Sequence, residues 1–505
     1  MRKNLLALSI AAMVGGLTAG AANAAVINTP AGLPGSNTTT ATVLEPTVTG
    51  VGHVLVVPYF TTQGTNKTLL NIVNTDQTNG KAVKLRYRGA ANSDDVFDIT
   101  IYLSPGDMWT ADVAADADGF SRLVTNDNSC TLPSAQDIKD ANNGRFKTNR
   151  VLAGDKAQTR EGYIEILNTA DIPPGTGAGG TNSALYTAIK HVNGVAPCTQ
   201  SVMDAQDTDL ADLAAATARG YAHPTGQLMA NWVLVNVTGF ASHSGEAVAV
   251  RANVAAGGAS AAGNIVWFPQ TTAAPTYPAL PENVPGAYTA DPLLRLASFS
   301  GQVANYDFPD LSTPYLAAPS RAAALAQAAG LTAALATGSV TNEYLTASGF
   351  STDWVFSMPT RRYHVALNYA ATGAARLLMP GDDYFHAGNT SLNAAGTQAC
   401  VTPGAMKGFD REEQTQSTFV ISPDSAIRLC GETSVLAFNA AGADSVLAAS
   451  IARNDVKTRY AEGWMTINTQ TGTTGGVIGL PIVGFAAAKV SGANLGGTWA
   501  HRTSR

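Results

Sequence analysis

Charge is what this sequence has least of. Asp, Glu, Lys and Arg make up 13% of its 505 residues, against about 25% in ordinary globular chains. With a formal charge of −6 and no basic cluster, nothing in it would track a nucleic-acid backbone. Long apolar runs are missing as well. Beyond the first residues the nearest is "GGVIGLPIVGFAAAKV" (475–490), which Pro481 and several glycines interrupt. It reads as a buried strand and turn rather than a membrane-crossing helix, which needs about 20 apolar residues. Catalytic signatures are absent too: there is no Gly-x-Ser-x-Gly, no His-Glu-x-x-His and no phosphate-binding glycine loop. The seven histidines are scattered. His223 and His243 flank a strand, and His364 falls in a strand-like run beside Arg361 and Arg362. Lone histidines of this kind are read as satisfied structural residues, and no enzyme is expected.

The first residues carry an address. Arg2 and Lys3 form a positive start, "LLALSIAAMVGGLTAG" a short apolar core, and Ala22-Asn23-Ala24 a small-x-small cleavage pattern. Residues 1–24 are therefore expected to be a signal peptide. Its removal takes away two cations and no acid, moving the charge from −6 to −8. The expected location is exported, at the cell surface or outside the cell.

Alternation of apolar and polar residues dominates the chain from His53 onward. In "KAVKLRYRG" (81–89), Val83, Leu85 and Tyr87 share one face, and Lys84, Arg86 and Arg88 the other. That is the pattern of a half-buried strand. "HVLVVPYF", "KTLLNIVNT", "VFDITIYL" and "DMWTADV" repeat it between Gly-, Asn-, Asp- and Pro-bearing turns. The expected class is mainly β, with antiparallel β-sandwich-like sheets and a few short Ala-rich helices. One helix is expected around 207–220, capped by Asp207 and ended by Gly220, and another over 320–338 with Ser320 as its cap. The organisation read from composition is an extended N-terminal arm (25–50), a β-rich part (51–270), a Pro-rich loop (271–290) and a second β-rich part carrying the Ala-rich helix (291–505). "EGYIEILNT" (161–169) echoes "EGWMTINT" (462–469), as two strands playing equivalent parts would.

Two residue sets are candidates for fixed structure or ion binding. Cys130, Cys198, Cys400 and Cys430 are an even set in an exported chain, which favours disulfides. Three pairings are open, and Cys130–Cys198 with Cys400–Cys430 is preferred because each pair is local in sequence. Each loop closed should stabilise by roughly 3–4 kcal/mol. Asp112, Asp116 and Asp118 cluster before Gly119. Calcium takes clustered carboxylate and carbonyl oxygens on a flexible loop, so it is the one cofactor considered. The spacing lacks the closing bidentate Glu of an EF-hand, and a solvated acidic loop is the preferred reading.

A porin-like barrel is the rival β architecture. Aromatics are only 7%, and the chain ends "TWAHRTSR" without a terminal aromatic strand, so the barrel is not favoured. "GHVLVVPYFTTQGTNKTLLNIVNT" and "DITIYLSPGDMWTADV" resemble segments of a group of poorly characterised proteobacterial cell-surface proteins, some of which are thought to form surface layers. The resemblance covers about residues 50 to 115. It implies a structural exported protein, a self-associating surface-layer subunit whose partners are copies of itself and outer-membrane components. The alternative is a monomeric adhesin or carbohydrate-binding module, in which Trp and Tyr on exposed strand faces would stack on sugars.

Overall fold

A computed structural model describes residues 25–27, 41–139, 144–208, 210–239, 241–267, 270, 309–316, 321–347, 349–369, 371–422, 427–438, 445–451, 453–472, 479–490 and 495–504. The signal peptide, the Pro-rich loop 271–290 and the Ser320 cap lie outside the described residues. Four sheets carry the architecture. The inner sheet has seven strands, in the order Val43–Thr47, Val248–Asn253, Val54–Thr61, Glu161–Ile172, Gly80–Gly89, Asp95–Leu103 and Cys130–Leu132. The outer sheet has five: Ala241–Glu246, Leu228–Asn236, Asn66–Asn74, Met108–Ala115 and Ser121–Val124. Together they form an antiparallel sandwich, as the alternation predicts. Leu70, Ile72, Trp109, Val113 and Trp232 from the outer sheet meet Val83, Leu85, Tyr87, Ile99 and Ile164 from the inner one.

The C-terminal part repeats the scheme. A middle sheet of six strands runs Val420–Ser422, Arg453–Lys457, Thr433–Phe438, Phe350–Ser357, Val483–Val490 and Leu495–Ala500. A C-terminal sheet of five strands runs Thr415–Gln416, Met406–Phe409, Glu462–Asn468, Ser339–Leu345 and Arg502–Ser504. The period of two sends successive side chains of the middle sheet to two different cores. Trp354, Phe356, Leu436 and Phe438 pack on Val340, Tyr344, Met465 and Ile467 of the C-terminal sheet. Val355, Val435, Phe485 and Ala487 instead complete the core of the first sandwich. There Trp232 and Phe485 bring their ring centroids to 4.6 Å.

Backbone contacts lock the two parts together. Ala90 O accepts from Glu432 N (2.7 Å) and Thr433 N (3.1 Å). A Cβ on Gly431, whose φ is +82°, would lie 2.4 Å from that same oxygen, so this approach needs glycine. The echoed motifs also place their glycines alike. A Cβ on Gly162 would sit 1.8 Å from Arg88 O, and one on Gly463 1.8 Å from Phe409 O. Each glycine lets a neighbouring strand come close where a side chain would clash.

Several sequence expectations shift in detail. The stretch read as an N-terminal arm contributes two strands: Ala25–Ile27 pairs with Ile265–Trp267, and Val43–Thr47 pairs with Val248–Asn253. The first helix spans Leu213–Arg219, and its cap is Asp212, not Asp207, with Asp212 Oδ1 accepting from Ala215 N at 2.8 Å. Gly220 ends it at φ +103°, as expected. The long helix, Arg321–Leu335, buries Ala324, Ala328, Leu331 and Leu335, with the last three in the core that backs Val43–Thr47. Arg361–Tyr363 forms a short 3-10 turn rather than a strand, because Arg361 and Arg362 turn inward to buried acids.

Candidate functional site

The second face of the inner sheet gathers a buried cluster of charges. Every residue of Gly80–Gly89 is buried, including Lys84, Arg86 and Arg88, so this strand is not half-buried. Neighbouring strands bring acids to the same face: Asp98 stands opposite Arg86 on one side and Glu165 opposite it on the other. Arg88 Nε lies 2.9 Å from Glu165 Oε1, and Arg362 Nη1 is 2.9 Å from Asp310 Oδ2. Arg150 Nη1 reaches Asp95 Oδ2 at 2.7 Å, and Arg361 pairs with Glu432. On the strand's other face, Lys81 Nζ sits between Asp171 (2.7 Å) and Asp76 (3.0 Å). A charge removed from water must be paired, and these strands carry their counter-charges in register.

Burial also resets protonation. It pushes Asp94 up to about 7, although Tyr369 donates a 2.6 Å hydrogen bond to its Oδ2. It pushes Asp353 up to about 6 against hydrogen bonds from Ser445 and Leu447 N. His53 and His501 are pulled down to about 4 by the same desolvation. Burial holds Lys84 down at about 8, with Asp98 opposing the shift.

The histidines singled out in the sequence have local partners. His223 Nδ1 is 2.9 Å from Gly263 O, and His243 Nδ1 is 3.2 Å from Gly497 O. His364 follows the Arg361–Tyr363 turn, where Nδ1 pairs with Asp382 and Nε2 lies 2.9 Å from Thr332 Oγ1. The structure joins Cys130 to Cys198 and Cys400 to Cys430. Asp112, Asp116 and Asp118 are not brought to one point. Asp112 lies on the outer sheet 3.9 Å from Lys67, while Arg145 grips both Asp116 (2.7 Å) and Asp118. A calcium ion there would compete with a guanidinium for two of its three proposed ligands. Among the described residues no three His, Cys, Asp or Glu side chains are placed to share a metal ion.

An apolar cleft of about 300 Å³ runs between Val43–Thr47 and the helix Arg321–Leu335. Its Gln327 is engaged with Tyr315 N at 2.6 Å, and none of the described residues lining it is charged.

Among the described residues two sheet faces stay open, and sequence alternation alone does not say whether a polar face meets water or protein. The outer sheet's free face carries Met229, Val73 and Met108 in one register row, and Val233 and Leu69 in another. Leu69 is 36% and Met108 51% exposed. Its charges are Lys67, Arg122, Asp112 and Glu246, two of each sign. The C-terminal sheet's free face carries Trp464 between Phe409 and Glu343. No helix among the described residues is long and apolar enough to cross a membrane. No family model, no curated protein and no solved structure matches the chain.

Proposed function

We infer that this is a structural, exported cell-surface protein that associates with copies of itself as a surface-layer subunit. The observation that carries the reading is the contrast in where charge sits. Arg86, Arg88, Arg150, Arg361, Arg362 and Lys81 are internally paired. The outer sheet's free face is left electrically balanced and studded with Leu69, Val73, Val233, Met108 and Met229. Two such faces can meet with little desolvation cost. With about 3.4 Å per residue and about 4.8 Å per strand, the face covers roughly 600 Å². That approaches the roughly 800 Å² each partner contributes to a standard interface. Two disulfides suit an oxidising compartment, which accords with the leader-like residues 1–24 and the resemblance to proteobacterial surface proteins.

Negative-stain electron microscopy of the purified protein, with calcium and then with chelator, tests the reading. Ordered sheets in both conditions support association through the balanced face and remove calcium from the account. Sheets that dissolve on chelation support association with a structural ion, for which Arg145 would have to release Asp116 and Asp118. Isolated particles throughout contradict self-assembly.

A further inference from the structure

The C-terminal sheet's free face holds an aromatic pair whose surroundings differ from those of the outer sheet. Trp464 is 40% exposed, unusual for the largest apolar side chain. It is also held in place. Phe409, its register partner, stacks on it with centroids 4.1 Å apart and planes 11° from parallel. Gly463 permits the close strand approach behind this stack, since a Cβ there would meet Phe409 O. Lys407 Nζ lies 4.8 Å from the Phe409 ring centre.

The rim is polar. Trp464 stands beside Glu343 in the paired strand, and the next row reads Lys407, Thr466, Thr341 and Arg502. Glu343 is wide open to solvent, and Arg502 Nη1 stands 3.9 Å from its Oε1. Thr341 and Thr466 join their hydroxyls at 3.0 Å. A protein hot spot would surround its central indole with further apolar groups that exclude water. Here the fixed indole is bordered mostly by polar groups: a carboxylate, a guanidinium, an ammonium and two hydroxyls, with Glu462 and the half-buried Leu345 in the row on its other side. The matching ligand has an apolar face with hydroxyls around its edge, each able to donate and accept. That is a pyranose ring, whose C–H face lies on an indole while its hydroxyls reach acceptors such as Glu343 and donors such as Arg502 and Lys407.

We propose that Trp464, backed by Phe409 and bordered by Glu343 and Arg502, is a binding platform for a pyranose unit of a polysaccharide. The ring is already immobilised, so binding it costs little side-chain entropy. The platform lies on a different sheet from the face assigned to self-association, so the two readings can fail separately.

Affinity electrophoresis and calorimetry with cellohexaose and chitohexaose test the platform. Wild-type protein should bind at least one of them, with Trp464→Ala about tenfold weaker and Glu343→Gln weakened in the same direction. Trp499→Ala removes the other exposed tryptophan, 46% accessible, and should bind as wild type does. Thermal melts check that each variant folds. Failure of the wild type to bind either sugar overturns the proposal, as does unchanged binding by Trp464→Ala. Loss of assembly without any sugar binding in the Trp464 series also overturns it, and makes the patch a contact between copies.

Discussion

The inner and outer sheets are built from strands that look alike, yet they treat their second faces in opposite ways. Along Asn66–Asn74 burial alternates strictly, and Lys67 and Leu69 stay in solvent. Along Gly80–Gly89 it does not alternate at all. The difference lies in what covers each sheet. The segment around Asp310 reaches the charged face of the inner sheet, where Asp310 Oδ2 lies 4.0 Å from Arg88 Nη2, and the turn Arg361–Tyr363 brings Arg362 to that same carboxylate. Alternation reveals one apolar face; the fate of the other depends on segments hundreds of residues away.

The sharpest way to break this contrast is to remove one partner of a buried pair. Arg88→Ala removes the close ion-pair partner of the buried Glu165 and should lose about 3–5 kcal/mol in urea unfolding, whereas Arg88→Met with Glu165→Leu should recover most of it. A double variant no better than the single one would mean that the pair does more than neutralise itself. Opening the disulfide that tethers the inner sheet's edge strand, by Cys198→Ser with Cys130→Ser, should cost about 4 kcal/mol for its 68-residue span, read as a lower denaturation midpoint.

Asp94, at about 7 in the folded chain, favours folding fully below its unfolded value near 3.8 and loses that contribution as pH rises through 7. His53 and His501, at about 4, act oppositely: their contribution is present above 6.5 and lost as pH falls through 4. Measuring Asp94→Asn against wild type at each pH cancels the histidines. The variant should gain relative stability from pH 4 to 8, by up to about 4 kcal/mol. A constant difference across that range would place Asp94 in an ordinary carboxylate environment. The smallest effect belongs to the outer sheet, where Asp112→Ala, breaking an exposed 3.9 Å pair with Lys67, should change stability by less than about 0.5 kcal/mol.

The legibility of the sequence divides along the same line. Val83, Leu85 and Tyr87 announce their strand and their face, and the local spacing of the cysteines points to the pairs that form. Gly220 marks a helix end because only its backbone suits that φ. Asp212 outcompetes Asp207 as cap because the preceding residues fold into a separate helix, Gln200–Ala205. His364 and its arginines mimic a strand, but burying two guanidiniums against Glu432 and Asp310 outweighs that local pattern. The Glu-Gly-aromatic echo points to two equivalent strands, whose glycines make matching close contacts, without telling the aromatics apart. Tyr163 ends up buried beside Glu165, and Trp464 faces solvent. That distinction is set by the covering layer, which no local window contains.

Sedimentation velocity over a range of concentrations, comparing wild type with the pair Leu69→Lys and Val73→Lys, tests whether copies associate through the outer sheet's free face. Both positions lie on the outer sheet's free face, so the variant should fold with nearly unchanged stability. Wild type should form larger species as concentration rises, and the variant should remain monomeric. Monomeric wild type at every concentration, or equal association by the variant, would contradict association through that face.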